Sequence, residues 1–162
     1  MNTFSKFLES KQSSMKRAKS SIDHEKENAS DSSFNFPFKY RDTSFDTSTH
    51  AASQAKDRRP EFTKDDWKDL HKKTAITIRK EQLKNGWFLF YSKSMEQGYI
   101  GVLKNNKFKA ITVLPKGKHN PQGGNAGGTT ELEMMEMINL YNEEFNIIVE
   151  NLDDIITILI DE

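Results

Sequence analysis

Cysteine is absent from the 162-residue sequence, which excludes disulfide scaffolds, thiolate metal sites and cysteine nucleophiles. Long apolar runs are also absent, since no stretch approaches the roughly 18 residues of a membrane span. Near the N-terminus, Phe4, Phe7 and Leu8 are interrupted by Ser5 and Lys6, so no signal-peptide core is expected. These absences predict a soluble chain of a reducing compartment, with no membrane partner.

Apolar side chains make up only 35% of the sequence, and charged side chains make up 30%. Such a composition is too polar for every residue to pack into one core, so part of the chain is expected to be disordered. The four histidines lack the spacing of metal ligands, and the paired glycines near residue 125 do not match a phosphate-binding loop. We therefore expect neither a metal nor a cofactor.

Charges of opposite sign are segregated along the chain, although the formal net charge is zero. Residues 39–118 contain 18 Lys and Arg against 9 Asp and Glu. Residues 119–162 contain 10 Asp and Glu with no Lys or Arg, and the first 38 residues are nearly balanced. The basic segment suits contact with a nucleic-acid backbone, and the acidic segment creates a field of opposite sign.

Composition divides the chain into four predicted segments. Residues 1–33 are expected to be a disordered tail, because they can bury little apolar area. Residues 34–119 are expected to form a basic α+β domain, residues 120–130 a glycine-rich loop, and residues 131–162 an acidic extension. Within the tail, Phe4, Phe7 and Leu8 have the spacing of a short amphipathic helix, and a frayed terminus is the alternative.

The predicted fold class is α+β, with N-terminal helices packed on an antiparallel three- to four-stranded meander, followed by a C-terminal helix and strand. An aromatic arm (34–40) precedes a helix over 46–56 and a second helix from the N-cap Thr63 to Lys80. The apolar stripe of this second helix is Trp67, Leu70, Thr74 and Ile78, whereas His71 is expected to be solvated.

Three short apolar runs predict the strands of the meander, over 86–92, 98–104 and 107–114. Asn105-Asn106 between the last two suits a type I′ turn. A last helix is predicted over 131–145 and a strand over 145–149, while 151–160 fits either a strand or a helix start.

Four residues could share one cleft in such a fold, namely His50, Arg58, Thr112 and Lys116. Imidazole can donate or accept a proton near neutral pH, and an Arg fork binds phosphate. Thr112 would add a hydroxyl donor and Lys116 a positive charge. Together these groups suit metal-independent RNA cleavage, in which a 2′-hydroxyl attacks the neighbouring phosphate. The alternatives are that His50 is an ordinary helix residue and that Thr112 is only a good strand former.

Further residues are candidates for direct contact with RNA. Cationic side chains would contact phosphates, and tyrosine rings would stack on unpaired bases. The candidates are Arg59, Lys72, Lys73, Lys118, Tyr91 and Tyr99. Alternatively, the pair Arg58-Arg59 belongs to a solvated turn and pairs with Asp57 and Glu61.

The order of these motifs follows a known pattern: Thr49-His50-Ala51 precedes an Arg pair, a capped helix and three strands, the last of which ends in Ile-Thr-Val-Leu-Pro-Lys-Gly-Lys (111–118). Over residues 44–119 the chain resembles the phage-associated branch of the barnase–EndoU–colicin–RelE nuclease superfamily. The resemblance implies a toxin-like ribonuclease with His50, Arg58, Thr112 and Lys116 at the site. The acidic extension is not part of the pattern.

The first nine residues, Met1 to Glu9, are similar to the N-terminal capsid-targeting peptides of internal head proteins of T-even-like phages. A prohead protease removes those peptides after a Leu-x-Glu or Ile-x-Glu site, which Phe7-Leu8-Glu9 does not match. This resemblance implies that the phage capsid is a partner and that the protein is packaged in the virion and delivered to the host cytoplasm.

Two functions are therefore carried forward. The leading one is a phage-encoded ribonuclease-like protein that acts on RNA. The alternative is a non-catalytic internal or host-takeover protein that binds nucleic acid or a host protein. The acidic extension has two interpretations as well: it covers the basic face and restrains it, or it completes the core and carries solvated acids.

Overall fold

The computed structural model describes residues 24–117, 138–140 and 155–161. Its helices are α1 (residues 24–30), α2 (Thr49–Arg58) and α3 (Lys64–Lys80), and residues 138–140 are also helical. Its strands are β1 (Phe38–Tyr40), β2 (Thr43–Thr47), β3 (Gly86–Ser92), β4 (Gln97–Lys104), β5 (Lys107–Val113) and β6 (Ile156–Leu159). The protein is mixed α+β, and these strands form one sheet in the order β1-β2-β5-β4-β3-β6.

The centre of the sheet is the antiparallel meander β3-β4-β5, with strand bounds within one residue of those predicted. Asn105 and Asn106 join β4 to β5 at φ 53° and 63°, the left-handed values that a type I′ turn needs. The sheet is larger than predicted and not wholly antiparallel, because β2 pairs with β5 and β6 pairs with β3 in parallel. Both parallel pairings join segments distant in sequence, which local periodicity does not reveal.

Helix α2 begins three residues later than predicted. Asp46 and Thr47 belong to β2, where they pair with Lys109 and Ala110 of β5. Ser48 then caps the helix, and its side chain accepts a hydrogen bond from the Ala51 amide at 3.0 Å. The prediction of a helix over 46–56 is therefore wrong at its start, because strand pairing takes the first residues.

Helix α3 follows the sequence closely at both ends. Thr63 is the N-cap and forms a reciprocal capping box with Asp66, as its position predicts. At the other end, the Leu83 amide donates to the Ile78 carbonyl at 3.0 Å, with Gln82 at φ 51° between them. The predicted stripe is buried, but His71 is only 1% exposed, so the prediction that it is solvated is wrong.

Each face of the sheet carries its own apolar cluster. On the α2–α3 face, the main cluster includes Trp67, Leu70, Phe90, Tyr99 and Phe108. The opposite face carries a second cluster, which contains Trp87, Leu89, Tyr91, Ile100, Val102, Ile111, Leu114, Ile138 and Ile155. Neighbouring residues of β3 alternate between the two clusters, as the period of a strand requires. Both faces of the central strands are therefore buried.

The segment before β1 is folded onto the main cluster. The Asn28 amide of α1 donates to the Ser53 carbonyl at 3.1 Å and to Asp57 Oδ1 at 2.9 Å. Phe34 and Phe36 are buried, in agreement with a docked aromatic arm. Disorder was the wrong prediction for residues 24–33, because polar contacts to α2 compensate for their small apolar area.

Several predictions fall on residues outside the described ranges. They are the targeting peptide (1–9), Lys118, the whole glycine-rich loop (120–130), the strand over 145–149 and most of the helix over 131–145. The ambiguous segment 151–160 contains β6, so a strand is correct for its last part.

Candidate nucleic-acid interface

Beyond the end of β2, the N-cap and side chains of helix α2 supply the hydrogen-bond partners for the backbone of β5. β2 stops at Thr47, opposite Ala110, and the next carbonyl of β5, that of Ile111, accepts from the Ser48 hydroxyl at 3.1 Å. At Val113, the amide donates to Gln54 Oε1 at 2.9 Å and the carbonyl accepts from Arg58 Nη1 at 2.6 Å. Arg58 therefore has a structural role, because it joins the C-terminal end of α2 to the backbone of β5. Its position does not require a bound phosphate.

Thr112 lies on the other face of the sheet from α2. A bulge opposite Ile100 and Gly101 shifts the register, so that Thr112 pairs with Ile100. Paired residues of antiparallel strands project to the same face, and Ile100 belongs to the second cluster. Thr112 is only 3% exposed. The Thr112 hydroxyl therefore does not lie beside His50 and Arg58, as the predicted cleft requires.

His50 and Lys116 each contact a carboxylate of a different segment. His50 Nδ1 lies 2.7 Å from Glu25 Oε1 of α1, and its side chain is 26% exposed. The other ring nitrogen, Nε2, is buried and has no hydrogen-bond partner within the described residues. Lys116 is exposed, 3.5 Å from Glu96. His50 and Arg58 are also about 12 Å apart along the helix axis.

Arg59 is buried rather than available to RNA. Its Nη1 donates to the carbonyls of Met95 and Glu96 and to Gln97 Oε1, at 3.1, 3.0 and 3.0 Å. Its Nε donates to Glu61 at 2.7 Å, and the side chain is 5% exposed. Arg59 therefore fixes the turn before β4 to the end of α2, and the predicted phosphate contact is wrong.

Tyr91 and Tyr99 are core residues, so their predicted role as stacking platforms is wrong. Both rings are at most 1% exposed, on opposite faces of the sheet. The Tyr99 hydroxyl lies 2.7 Å from Thr74 Oγ1 and 3.1 Å from His71 Nδ1. Burial raises the pKa of Tyr99 and lowers that of His71 to about 3, because each charged form would lack water.

The predicted lysines of α3 differ from each other. Lys72 is exposed, as a phosphate contact requires. Lys73 instead pairs with Asp161 at 3.0 Å, next to the end of β6. β6 extends the sheet beside β3, as the structural interpretation of the acidic extension expects. Asp161, however, is hydrogen-bonded and mostly buried rather than solvated.

A groove with cationic walls, which the sequence did not predict, lies at one end of the sheet. It is formed by the β1–β2 turn, the C-terminal end of α3 and the β4–β5 hairpin, and its volume is about 630 Å³. Four exposed cations line it against one acid, Asp42; they are Arg41, Arg79, Lys80 and Lys84. We call this feature the cationic groove.

The sequence signal for the cationic groove was weak. Arg79 and Lys80 lie in the last turn of α3, where cations are expected simply because they complement the helix dipole. Arg41 lies 38 residues earlier, in a turn between two strands that the periodicity did not resolve. Only the folded sheet brings these side chains together.

Comparison with protein families, curated proteins and solved structures found no match to this chain.

Two further findings concern only the described residues. No group of three or more His, Asp or Glu side chains is placed to hold a metal ion. No helix there is long and apolar enough to cross a membrane. Among the described residues, the cationic groove has a lining that favours an anion, because four cations face one acid.

Proposed function

We propose that this protein binds RNA through the cationic groove and does not cleave it. The observation that carries the proposal is the lining of the groove, with four cations against one acid in a concave surface. Phosphate contacts by Lys and Arg supply most of the sequence-independent affinity for nucleic acids. The basic composition of residues 39–118 indicated contact with a nucleic-acid backbone, and the cationic groove is a defined surface on which such contact can occur.

The contacts of the predicted catalytic residues favour binding over cleavage. Arg58 is bonded to the Val113 carbonyl, and Thr112 is buried on the far face of the sheet. General acid–base cleavage needs these groups within hydrogen-bond reach of one phosphate. The described arrangement does not bring them together.

Salt dependence of RNA binding, measured by fluorescence anisotropy, tests the proposal. We expect affinity for a single-stranded RNA to fall steeply with salt, since each phosphate contact adds roughly 0.7 to the slope of log K against log salt. Lys84→Gln and Arg79→Gln should each weaken binding several-fold and reduce the slope by about that amount.

Lys93→Gln is the matched control, because Lys93 is an exposed lysine in the β3–β4 turn, outside the lining of the groove. Equal affinity for the wild type and all three variants would refute the proposal, as would binding that ignores salt.

A ribonuclease remains a second candidate, on the observation that Glu25 lies 2.7 Å from His50 Nδ1. A carboxylate on one ring nitrogen orients an imidazole for proton transfer at the other. That other nitrogen, Nε2, is buried, so cleavage by this route requires that RNA binding expose it. Incubating the pure protein with total RNA in EDTA tests this candidate. Cleavage that is lost in His50→Ala supports it, and RNA that stays intact with the wild type rules it out.

A further inference from the structure

We propose that the cationic groove holds an unpaired base, so that the ligand is single-stranded rather than double-stranded RNA. The base would stack beside Tyr40 and Arg41, with neighbouring phosphates at Arg79 and Lys84. This inference rests on the proposed function, because it specifies which form of RNA the groove accepts.

The shape of the cationic groove favours a base. Ligand pockets for small molecules have volumes of about 300–1,000 Å³, and the groove, at about 630 Å³, falls within that range. A paired base inside a helix presents only its edge, so it cannot enter a concavity formed by three turns. An unpaired base can be turned out of its strand and inserted.

The lining of the cationic groove also offers surfaces that a phosphate does not need. Tyr40 is half-buried and packs against the main cluster, which holds its ring in place. The Arg41 guanidinium lies 5.5 Å from the centre of that ring. Flat Tyr and Arg groups both stack on unpaired bases. Ile76, which is 45% exposed, adds an apolar surface at the same groove.

The rim of the groove is held in a conformation that most residues avoid. Arg41, Gln82 and Asn106 line it with φ values of 53°, 51° and 63°. These values belong to the turns themselves: Asn106 lies in the type I′ turn between β4 and β5, and Gln82 lies in the turn that ends α3. Gln82 and Asn106 also supply side-chain amides, which can donate to and accept from the edge of a base.

Three RNA ligands of about 12 nucleotides distinguish the possibilities: a single strand, the same strand without bases, and a duplex. We expect the single strand to bind at least roughly tenfold more tightly than the other two at equal salt. Tyr40→Leu should lose about that factor toward the single strand only, because leucine keeps the apolar packing but cannot stack. Tyr40→Phe keeps the ring and should bind like the wild type.

Ile76→Gln supplies a second variant, because its exposed position on α3 does not depend on core packing. It should weaken binding of the single strand and leave the baseless strand unchanged. If the three ligands bind equally well, the inference fails while the proposed function stands. If none binds in a salt-dependent way, the proposed function fails and the inference fails with it.

Discussion

At the scale of single residues, His71 is the most unusual group in the described core. Its ring stacks on Phe45 and Tyr99 at centroid distances of 4.6 and 5.6 Å, and it is 1% exposed. Burial lowers its pKa to about 3, so the ring is neutral in the folded protein at any ordinary pH. In the unfolded chain it titrates near the usual value of 6.5.

This difference predicts a stability that falls with acid. Between about pH 6.5 and pH 3 the unfolded state binds one more proton than the folded state. For each unit by which the pH falls in this range, His71 therefore lowers the free energy of unfolding by about 1.4 kcal/mol. Denaturant unfolding at pH 7 and about pH 5 measures the effect. His71→Phe keeps the stacking and should remove about 2 kcal/mol of the loss.

The exposed His24 gives the control for this measurement. His24→Phe should leave the loss between the two pH values unchanged. A loss in His71→Phe as large as in the wild type would contradict the assignment.

At the scale of elements, the sequence predicts what depends on neighbours along the chain. The meander and the capping box of Thr63 were predicted correctly, because hydrophobic period and caps are local. His71 was within reach too: it lies four residues after Trp67 on the same stripe, and only its polar type argued against burial. The parallel pairings of β2 and β6 were not accessible, because they depend on contacts across more than 60 residues.

Gly101 allows β4 and β5 to approach closely at the bulge, so a substitution there tests the packing of the sheet. A Cβ atom on Gly101 would overlap the Lys109 carbonyl oxygen and lie 2.6 Å from Phe108 Cζ. We expect Gly101→Ala to lower the free energy of unfolding by about 3 kcal/mol, since backbone would have to move. Thermal or denaturant unfolding measures the loss.

Gly86→Ala is the matched control in the neighbouring strand. Its Cβ would lie 3.6 Å from the Phe88 ring, which is ordinary van der Waals contact. This variant should unfold within about 0.5 kcal/mol of the wild type. If the two substitutions lower the free energy of unfolding equally, the close approach of β4 and β5 at Gly101 is not the cause of the loss.

At the scale of the whole molecule, the basic segment was predicted from charge alone, but the site within it was not. Counting charges cannot separate Arg59, which the fold buries, from Arg79, which it leaves exposed. The cationic groove joins Arg41, Arg79 and Lys84 from separate elements, and their approach depends on the sheet order. Similarly, the sign of the acidic extension was evident, whereas its place in the sheet required the pairing of β6 with β3.

Substitution of Asp161 can measure how much the C-terminal segment contributes to the free energy of unfolding. Its carboxylate accepts from the Ser94 amide at 2.8 Å and from Ser92 Oγ and Lys73 Nζ, both at 3.0 Å. Burial alone would raise its pKa, but the hydrogen bonds from these three residues and the Lys73 charge together lower it below the usual 3.8. The carboxylate thus joins α3, the β3–β4 turn and the end of β6.

Asp161→Asn should therefore lower the free energy of unfolding by about 1–3 kcal/mol at neutral pH. Because the folded pKa is depressed, the wild type keeps this contribution above about pH 3.8 and loses it as the pH falls further. The difference between the two proteins in denaturant unfolding should consequently shrink in acid. Asp69→Asn, an exposed acid on α3, should unfold like the wild type at both pH values. A deficit in Asp161→Asn that persists unchanged well below pH 3.8 would mean that the charge of Asp161 is not what stabilises the C-terminal strand.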